Sequence, residues 1–435
     1  GALNEMQAVD ELVVGEVVLT APVEKQAGET ATEGAGEVST EPKAQESPEN
    51  EITDLGETPQ IPGAFPLVDA PDVSIVLPVY NKWALTAVCL KSLAETPSRR
   101  SFELIVVDDG SSDESQEQLS AIEGLVYIRN EENLGFVGSC NRGAGMARGE
   151  YLVMLNNDTE VQKGWLDALV DTLETEPGAG MVGSRLVYPN GQLQEAGGII
   201  FNDGSGWNYG RDEDPEKPDY TFLREVDYCS GACIALKTEL FEQLGGFDDY
   251  YAPAYYEDTD LAFRIREAGL KVLVQPAATV IHHEGATSGM DISTGMKRYQ
   301  EINREKFVER WREALAEQPE PVVARSDPEG MRAASQHRVK GRVLFVGTVP
   351  PDASKLKKCR ESGYGVCYLA ADSDFSRAQV AELQNSGVEV IYGPWLVSPM
   401  AFFSEQGSRF DYVFVTGRGE AEEYRQLAEL LEPSN

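Results

Sequence analysis

Basic residues are scarce in this 435-residue chain: 37 Lys and Arg stand against 73 Asp and Glu, a formal net charge of −36. A phosphate backbone would be repelled by such a surface unless a local basic stripe existed, and none is visible, so nucleic acid is excluded as an expected partner. Small anions remain allowed, because backbone N–H groups, a bound cation or one or two basic side chains suffice for them. No apolar run approaches the roughly 18 residues of a membrane span, and the start of the chain is acidic rather than basic then apolar. The six cysteines lack the dense spacing of a disulfide scaffold, and Cys229 and Cys233 have no second pair at zinc-like spacing, so free thiols and a cytoplasmic location are expected. The chain opens on Gly1 rather than Met, as expected of a processed or excised piece.

Residues 1–72 hold sixteen Asp and Glu against two Lys, without a sustained apolar period. They read as a solvated, disordered acidic tail, with Leu12–Leu19 as a segment able to pair or dock transiently. From Val73 short β-branched runs alternate with helix-period segments, the signature of βαβ units on a parallel sheet. Strands are predicted at Val73–Val79, Glu103–Val107, Leu125–Arg129 and Tyr151–Leu155, with helices near 84–95, 113–122, 138–147 and 163–175. Later runs at Gly180–Val187, Val226–Leu236, Lys271–Val274 and Thr279–His283 extend this into a mixed sheet, and a helix over 295–316 packs across the domain, which closes at 316. Residues 317–340 read as a linker. Strands at Arg342–Gly347, Gly365–Ala370, Val388–Tyr392 and Asp411–Thr416 then describe a small Rossmann-like or flavodoxin-like α/β unit over 341–435.

Ligands of an open parallel sheet bind beyond the carboxyl ends of its strands. Those ends are unusually polar here: Pro78-Val79-Tyr80-Asn81, Asp108-Asp109-Gly110-Ser111 and Asn156-Asn157-Asp158. Helix capping explains one such end, and three together ask for a ligand. Asp108 and Asp109 can accept from the imide N–H of a uracil or thymine and from ribose hydroxyls. Asp158 is a candidate ligand for Mg²⁺ or Mn²⁺, hard ions that complete their shells with substrate phosphates. The stretch Tyr255-Tyr256-Glu257-Asp258-Thr259-Asp260-Leu261 opens a helix with three acids in four residues, more than the macrodipole requires, and a carboxylate there can serve as general base. His282 and His283 follow an apolar strand, whose alternation turns one of them toward the site as a further metal ligand.

Together these residues resemble the inverting glycosyltransferases of family 2, which have the GT-A fold. The likeness runs over Val73–Ala286 and rests on Ser74–Asn81, Val106–Ser111, Asn133-Leu134-Gly135-Phe136 with Asn141, Leu155–Asp158, Gly245-Gly246-Phe247-Asp248 and the Glu257-Asp258 pair. The late histidine pattern is similar to rhamnosyltransferase-like members acting on cell-surface polysaccharides such as O-antigen and cell wall. The resemblance implies a nucleotide site built from Pro78, Tyr80, Asn81, Asp108, Asp109, Gly135, Asn141, Asn156 and Asn157. It implies a metal site at Asp158 with His282, or His283 as the fallback, and Asn156 departs from the aspartate most common at its position. Asp258 is the implied catalytic base with Glu257 beside it, and Gly231, Ala232 and Glu257 lie toward the acceptor. The implied reaction is metal-dependent transfer with inversion, from dTDP-rhamnose or a UDP-hexose to a glycan or lipid-linked glycan, in peripheral association with membrane-bound machinery at the inner membrane. The last unit weakly resembles part of a GT-B-type domain. A sugar-nucleotide nucleotidyltransferase is a rival, but Pro78–Asn81 lacks its basic, Gly-rich phosphate loop. An inactive nucleotide-sugar or glycan-binding scaffold is the other rival, and intact Asp158, Asp258 and His282 weigh against it.

Overall fold

The computed structural model describes residues 59–61, 63–284, 298–322, 327–347, 350, 352–370, 376–392, 402 and 409–416. The acidic segment 1–58, with Leu12–Leu19, lies outside them. The first half runs β1 (Val73–Val79), α1 (Trp83–Glu95), β2 (Phe102–Asp108), α2 (Ser115–Ser120), β3 (Leu125–Arg129), α3 (Gly135–Ala144), β4 (Tyr151–Leu155), β5 (Thr159–Val161) and α4 (Trp165–Thr175). It continues with β6 (Ala179–Val187), β7 (Leu193–Glu195), β8 (Gly198–Ile200), β9 (Gly206–Asn208), β10 (Arg224–Glu225), β11 (Cys233–Lys237), α5 (Thr238–Gln243), α6 (Glu257–Glu267) and β12 (Lys271–His282). Apart from β8 and β9, which pair with each other, these strands form one mixed sheet in the order β10-β12-β6-β11-β4-β1-β2-β3, with β5 on β12 and β7 on β6. Strands β1 to β4 run parallel, and β11 enters antiparallel between β4 and β6. The central strands are apolar on both faces, as a sheet covered by helices requires, and two buried clusters lie on its two sides.

Differences from the predicted elements have local causes. The run Val226–Leu236 is a strand only from Cys233. The Val226 N–H bonds to Val272 O at 2.9 Å, and the Asp227 carboxylate then takes the chain aside by accepting from the Ile200 N–H at 2.9 Å. Lys271–Val274 and Thr279–His283 are one strand ending at His282, whose register on β6 slips between Gln275 and Thr279, where Pro276 supplies no N–H for the ladder. The helix expected over 295–316 is described from 298 onward and consists of α7 (Arg298–Arg310) and α8 (Arg312–Leu315). The tail expectation fails for 63–72. Phe65 is buried, its N–H pairs with Glu123 O at 2.8 Å, and Arg148 donates to the carbonyls of Val68 and Asp69.

The expected linker contains α9 (Pro328–Ser335), which buries Met331 and Ala334 against Ile199 and Tyr209. Beyond it come β13 (Gly341–Gly347), α10 (Ala353–Glu361), β14 (Tyr364–Ala370), α11 (Arg377–Asn385), β15 (Val388–Ile391) and β16 (Tyr412–Thr416), a parallel four-stranded sheet in the order β15-β14-β13-β16. Its helices touch the first sheet's domain: Arg360 pairs with Glu176 at 3.2 Å, and Gln384 O accepts from the Leu223 N–H at 2.9 Å.

Asp227 gathers several partners along this seam. Its Oδ1 meets His337 Nε2 at 3.0 Å, Arg338 Nη2 at 2.6 Å and Arg266 Nη1 at 3.5 Å. Burial pushes the Asp227 carboxyl up, but the His337 hydrogen bond and the Arg338 and Arg266 charges outweigh it and hold it below its ordinary value. A depressed carboxyl stabilises the fold fully above its unfolded value of about 4, and that stability is lost as pH falls through the folded-state value. Asp227→Ala should therefore cost about 2 kcal/mol and lower the thermal midpoint by about 5 °C at pH 7. The gap between wild type and variant should shrink in acid, as followed by circular dichroism.

Candidate functional site

The carboxyl ends of β1, β2, β4 and β12 meet the amino end of the reversed strand β11 along one edge of the sheet. Asn81, with φ +56°, turns the chain after β1, and its Oδ1 accepts from the Ser112 N–H at 2.7 Å. Tyr80 beside it is 45% exposed and so is available to a ligand, while Pro78 remains within β1. Asp108 ends β2 inside a donor set: the Ser111 N–H and the Tyr127 hydroxyl, each at 2.8 Å, and the Arg129 guanidinium. Burial raises the Asp108 carboxyl, but these donors prevail and leave it lowered, hence ionised. Asp109 accepts from Asn130 Nδ2 at 2.6 Å and from the N–H groups of Leu134 and Gly135 at 2.7 and 2.9 Å. That grip starts α3 at Gly135 rather than three residues later. Gly135 is required there, since its φ is +75° and a Cβ would stand 2.5 Å from Pro253 Cβ.

After β4, Asn156 donates its N–H to Ala232 O at 2.9 Å, and its side-chain Oδ1 is buried without a hydrogen bond. Asn157 turns inward, donating to Thr86 Oγ1 at 2.9 Å. Asp158 and His282 are brought together, with Oδ1 and Nε2 3.2 Å apart. His282 Nδ1 meets Gln194 Oε1 at 3.1 Å, which fixes the ring and directs Nε2 to the carboxylate. Burial lowers the His282 imidazole, but the Asp158 carboxylate outweighs it, helped by Glu284 and Glu195, and the ring is raised. His283, the fallback ligand, is drawn to Glu160 at 2.7 Å. No group of three such ligands occurs among the described residues. A carboxylate and an oriented imidazole nevertheless fit a divalent cation whose remaining positions are taken by phosphate oxygens, and the orphaned Asn156 oxygen beside them is a further acceptor.

Helix α6 presents Glu257 and Asp258 to this edge. Tyr255 and Tyr256, at φ +76° and +68°, force the chain into its first turn. Asp258 Oδ2 accepts from the Gly231 N–H at 2.8 Å and Oδ1 from the Thr259 N–H at 2.6 Å. Burial raises the Asp258 carboxyl, and these bonds only partly oppose it. Glu257 is raised well above its usual range by burial and by Asp258, and its Oε2 is buried without a partner. Ala232 is buried next to Gly231. Asp260 serves the fold, receiving Arg264 Nε at 2.7 Å and Trp311 Nε1 at 2.9 Å.

With this geometry stands one comparison of sequence: residues 74–245 match the family Glycosyl transferase family 2. The chain carries a family 2 glycosyltransferase domain. Its mixed sheet, flanked by helices and reversed at β11, is the GT-A arrangement that the sequence led us to expect, and the parallel C-terminal sheet is the second α/β unit. An O-antigen biosynthesis protein of Myxococcus xanthus is 31% identical over 240 residues, which are 52% of this chain and 18% of that protein. An N-acetylglucosaminyl-diphospho-decaprenol L-rhamnosyltransferase of Mycobacterium tuberculosis is 27% identical over 224 residues, 45% of this chain and 70% of the relative. The chain thus spans less than a fifth of the first relative's length. A crystal structure of GalNAc-T7 with UDP, GalNAc and Mn²⁺ has a TM-score of 0.46 at 18% identity, covering 68% of this chain and 55% of that one.

Within the glycosyltransferase domain several residues differ from their expected placement or escaped notice. Asn141, expected at the nucleotide, uses both ends of its amide on the Phe247 backbone, at 2.8 and 2.9 Å, and fastens α3 to the Gly-Gly-Phe-Asp turn. Glu195 and Gln194 on β7 have no motif to announce them, only two polar residues side by side in a short strand between buried neighbours. Asn303 of α7, fully buried, donates to the carbonyls of Tyr251, Ala254 and Tyr255 at 2.7 to 2.9 Å and so holds the strained approach to α6. Asn303→Ala should cost about 2 kcal/mol. It should also speed amide hydrogen exchange at residues 251–256 ahead of the rest of the domain, read by mass spectrometry.

Proposed function

We propose that the domain transfers a sugar from a nucleoside diphosphate donor to a hydroxyl of a glycan or lipid-linked glycan, with inversion and with a divalent cation at Asp158 and His282. The observation that carries this reading is that Asp258, raised and held by Gly231, shares one sheet edge with the Asp158–His282 pair. The names of two relatives support this reading: one is an N-acetylglucosaminyl-diphospho-decaprenol L-rhamnosyltransferase and the other an O-antigen biosynthesis protein, so dTDP-rhamnose is the first donor to test and a UDP-hexose the second.

The roles divide by position. Asp108, Asp109, Tyr80 and Asn81 face the nucleoside, and the ionised Asp108 has capacity for an imide or ribose donor beyond its protein partners. A divalent cation at Asp158 and His282 supplies charge neutralisation for the departing diphosphate. Asp258 takes the proton of the acceptor hydroxyl. Its raised carboxyl suits that task, because a general base works best when its value approaches the working pH. Attack from the Asp258 side, opposite the leaving group, inverts the anomeric carbon, much as an inverting glycosidase does with water. Glu257, buried next to the base, orients the acceptor.

Asp258→Asn should reduce transfer by at least about 10²-fold while nucleotide-sugar binding stays within a few-fold, measured by product formation and calorimetry in parallel. Near-wild-type turnover would remove Asp258 from the mechanism. EDTA should abolish transfer and Mn²⁺ or Mg²⁺ restore it, with Asp158→Ala resisting restoration. Full activity in chelator would exclude the cation.

A further inference from the structure

Resting on the transfer reaction above, the geometry points to a further residue. We propose that Glu195 binds the transferred sugar, forming a hydrogen bond with one of its hydroxyls through Oε2, while Oε1 positions the turn that holds Asp258. Glu195 is 1% exposed, and its Oε1 accepts from the Ser230 N–H at 3.0 Å. The next amide along, Gly231 N–H, is the one that binds Asp258 Oδ2. Two carboxyl groups therefore grip consecutive amides of one turn from two different elements, β7 and α6. The neighbouring Gln194 orients His282, so β7 supports both the base and the cation pair.

Glu195 Oε2 has no hydrogen-bond partner although it is buried. An orphaned buried acceptor is costly, by about 1–3 kcal/mol, and marks the place of a missing partner. Glu195 is within electrostatic reach of both Asp258 and His282. In the transfer reaction proposed above, the sugar lies between those two groups. Burial and the Asp258 charge push the Glu195 carboxyl up to about 8, so it is largely a neutral acid near pH 7 that can both donate and accept. A neutral acid has a close isostere in glutamine, which keeps an acceptor for Ser230 and a donor for the sugar. Methionine matches the volume and offers neither.

The test compares binding of UDP and dTDP with binding of UDP-glucose and dTDP-rhamnose, all with Mn²⁺, by calorimetry on the full chain as wild type, Glu195→Gln, Glu195→Met and Glu195→Ala. For the sugar that wild type prefers, the gain of nucleotide sugar over bare nucleotide should fall roughly five- to ten-fold in the Met and Ala proteins and stay within about two-fold in the Gln protein. Bare-nucleotide affinity should be unchanged in all three. A Met or Ala protein that folds and keeps the full gain overturns the assignment while leaving the transfer reaction standing. So does parallel loss of nucleotide and sugar affinity, which marks a purely structural role. If both truncated proteins fail to fold, the Gln protein decides, with a retained gain supporting the proposal and a lost gain overturning it. Wild type that binds none of the four probes overturns both the proposal and the reaction on which it rests.

Discussion

Repulsion among buried carboxyl groups is the constraint around which this site is arranged. Asp158, Glu195, Glu257, Asp258 and Glu284 share one edge of the sheet, linked through electrostatic contacts with one another and with His282. Like charges in a dry environment cannot all ionise, and each group resolves the conflict differently. Glu284 is ionised by Arg211, Tyr188 and Gln194, and burial fails to raise it. Asp158 leans on His282. Glu195 and Glu257 are pushed toward neutrality, and Asp258 lies between these extremes with its own backbone donors. A surplus of negative charge in one place suits a cation-assisted reaction, and separated protonation states suit a site that needs a base and neutral binders side by side.

The backbone enforces the arrangement. The reversed strand β11 brings the Ser230-Gly231 turn to the same edge as the ends of β4 and β12, so that amides from one turn can meet carboxyl groups from β7 and α6. The left-handed residues Tyr255 and Tyr256 lead into α6, whose first turn brings Asp258 to the Gly231 N–H, and Asn303 fixes that approach from α7. The second sheet approaches from elsewhere, through α9 and the Asp227 cluster, and among the described residues its hydrogen bonds do not touch Asp258, Asp158 or His282.

What the sequence made legible was whatever is local. Val73–Val79, Leu125–Arg129 and Tyr151–Leu155 appear as strands with the bounds expected, because β-branched runs between turn residues carry their own signal. Asp158 and His282 stand out as candidates in the sequence because each lies at the end of an apolar run, and their meeting follows from the pairing of β5 with β12. Asn141 was misplaced because its partner, Phe247, lies 106 residues away and an amide that binds backbone looks like one that binds a ligand. Glu195 carries no signal in the sequence, since what sets it apart is its burial and its place beside the Ser230-Gly231 turn that also holds Asp258. His282 and His283 were separable only once Glu160 and Gln194 were in place.

The central claim is that a cation and a nucleoside diphosphate occupy the edge at Asp158 and His282, facing Asp258. A crystal of the full chain grown with UDP and Mn²⁺, with diffraction recorded near the manganese absorption edge, tests it directly. The account predicts one anomalous peak within coordinating distance of an Asp158 oxygen and His282 Nε2, with diphosphate oxygens completing the shell and the uracil near Asp108. A peak between His283 and Glu160, or a nucleotide bound away from this edge, would contradict it.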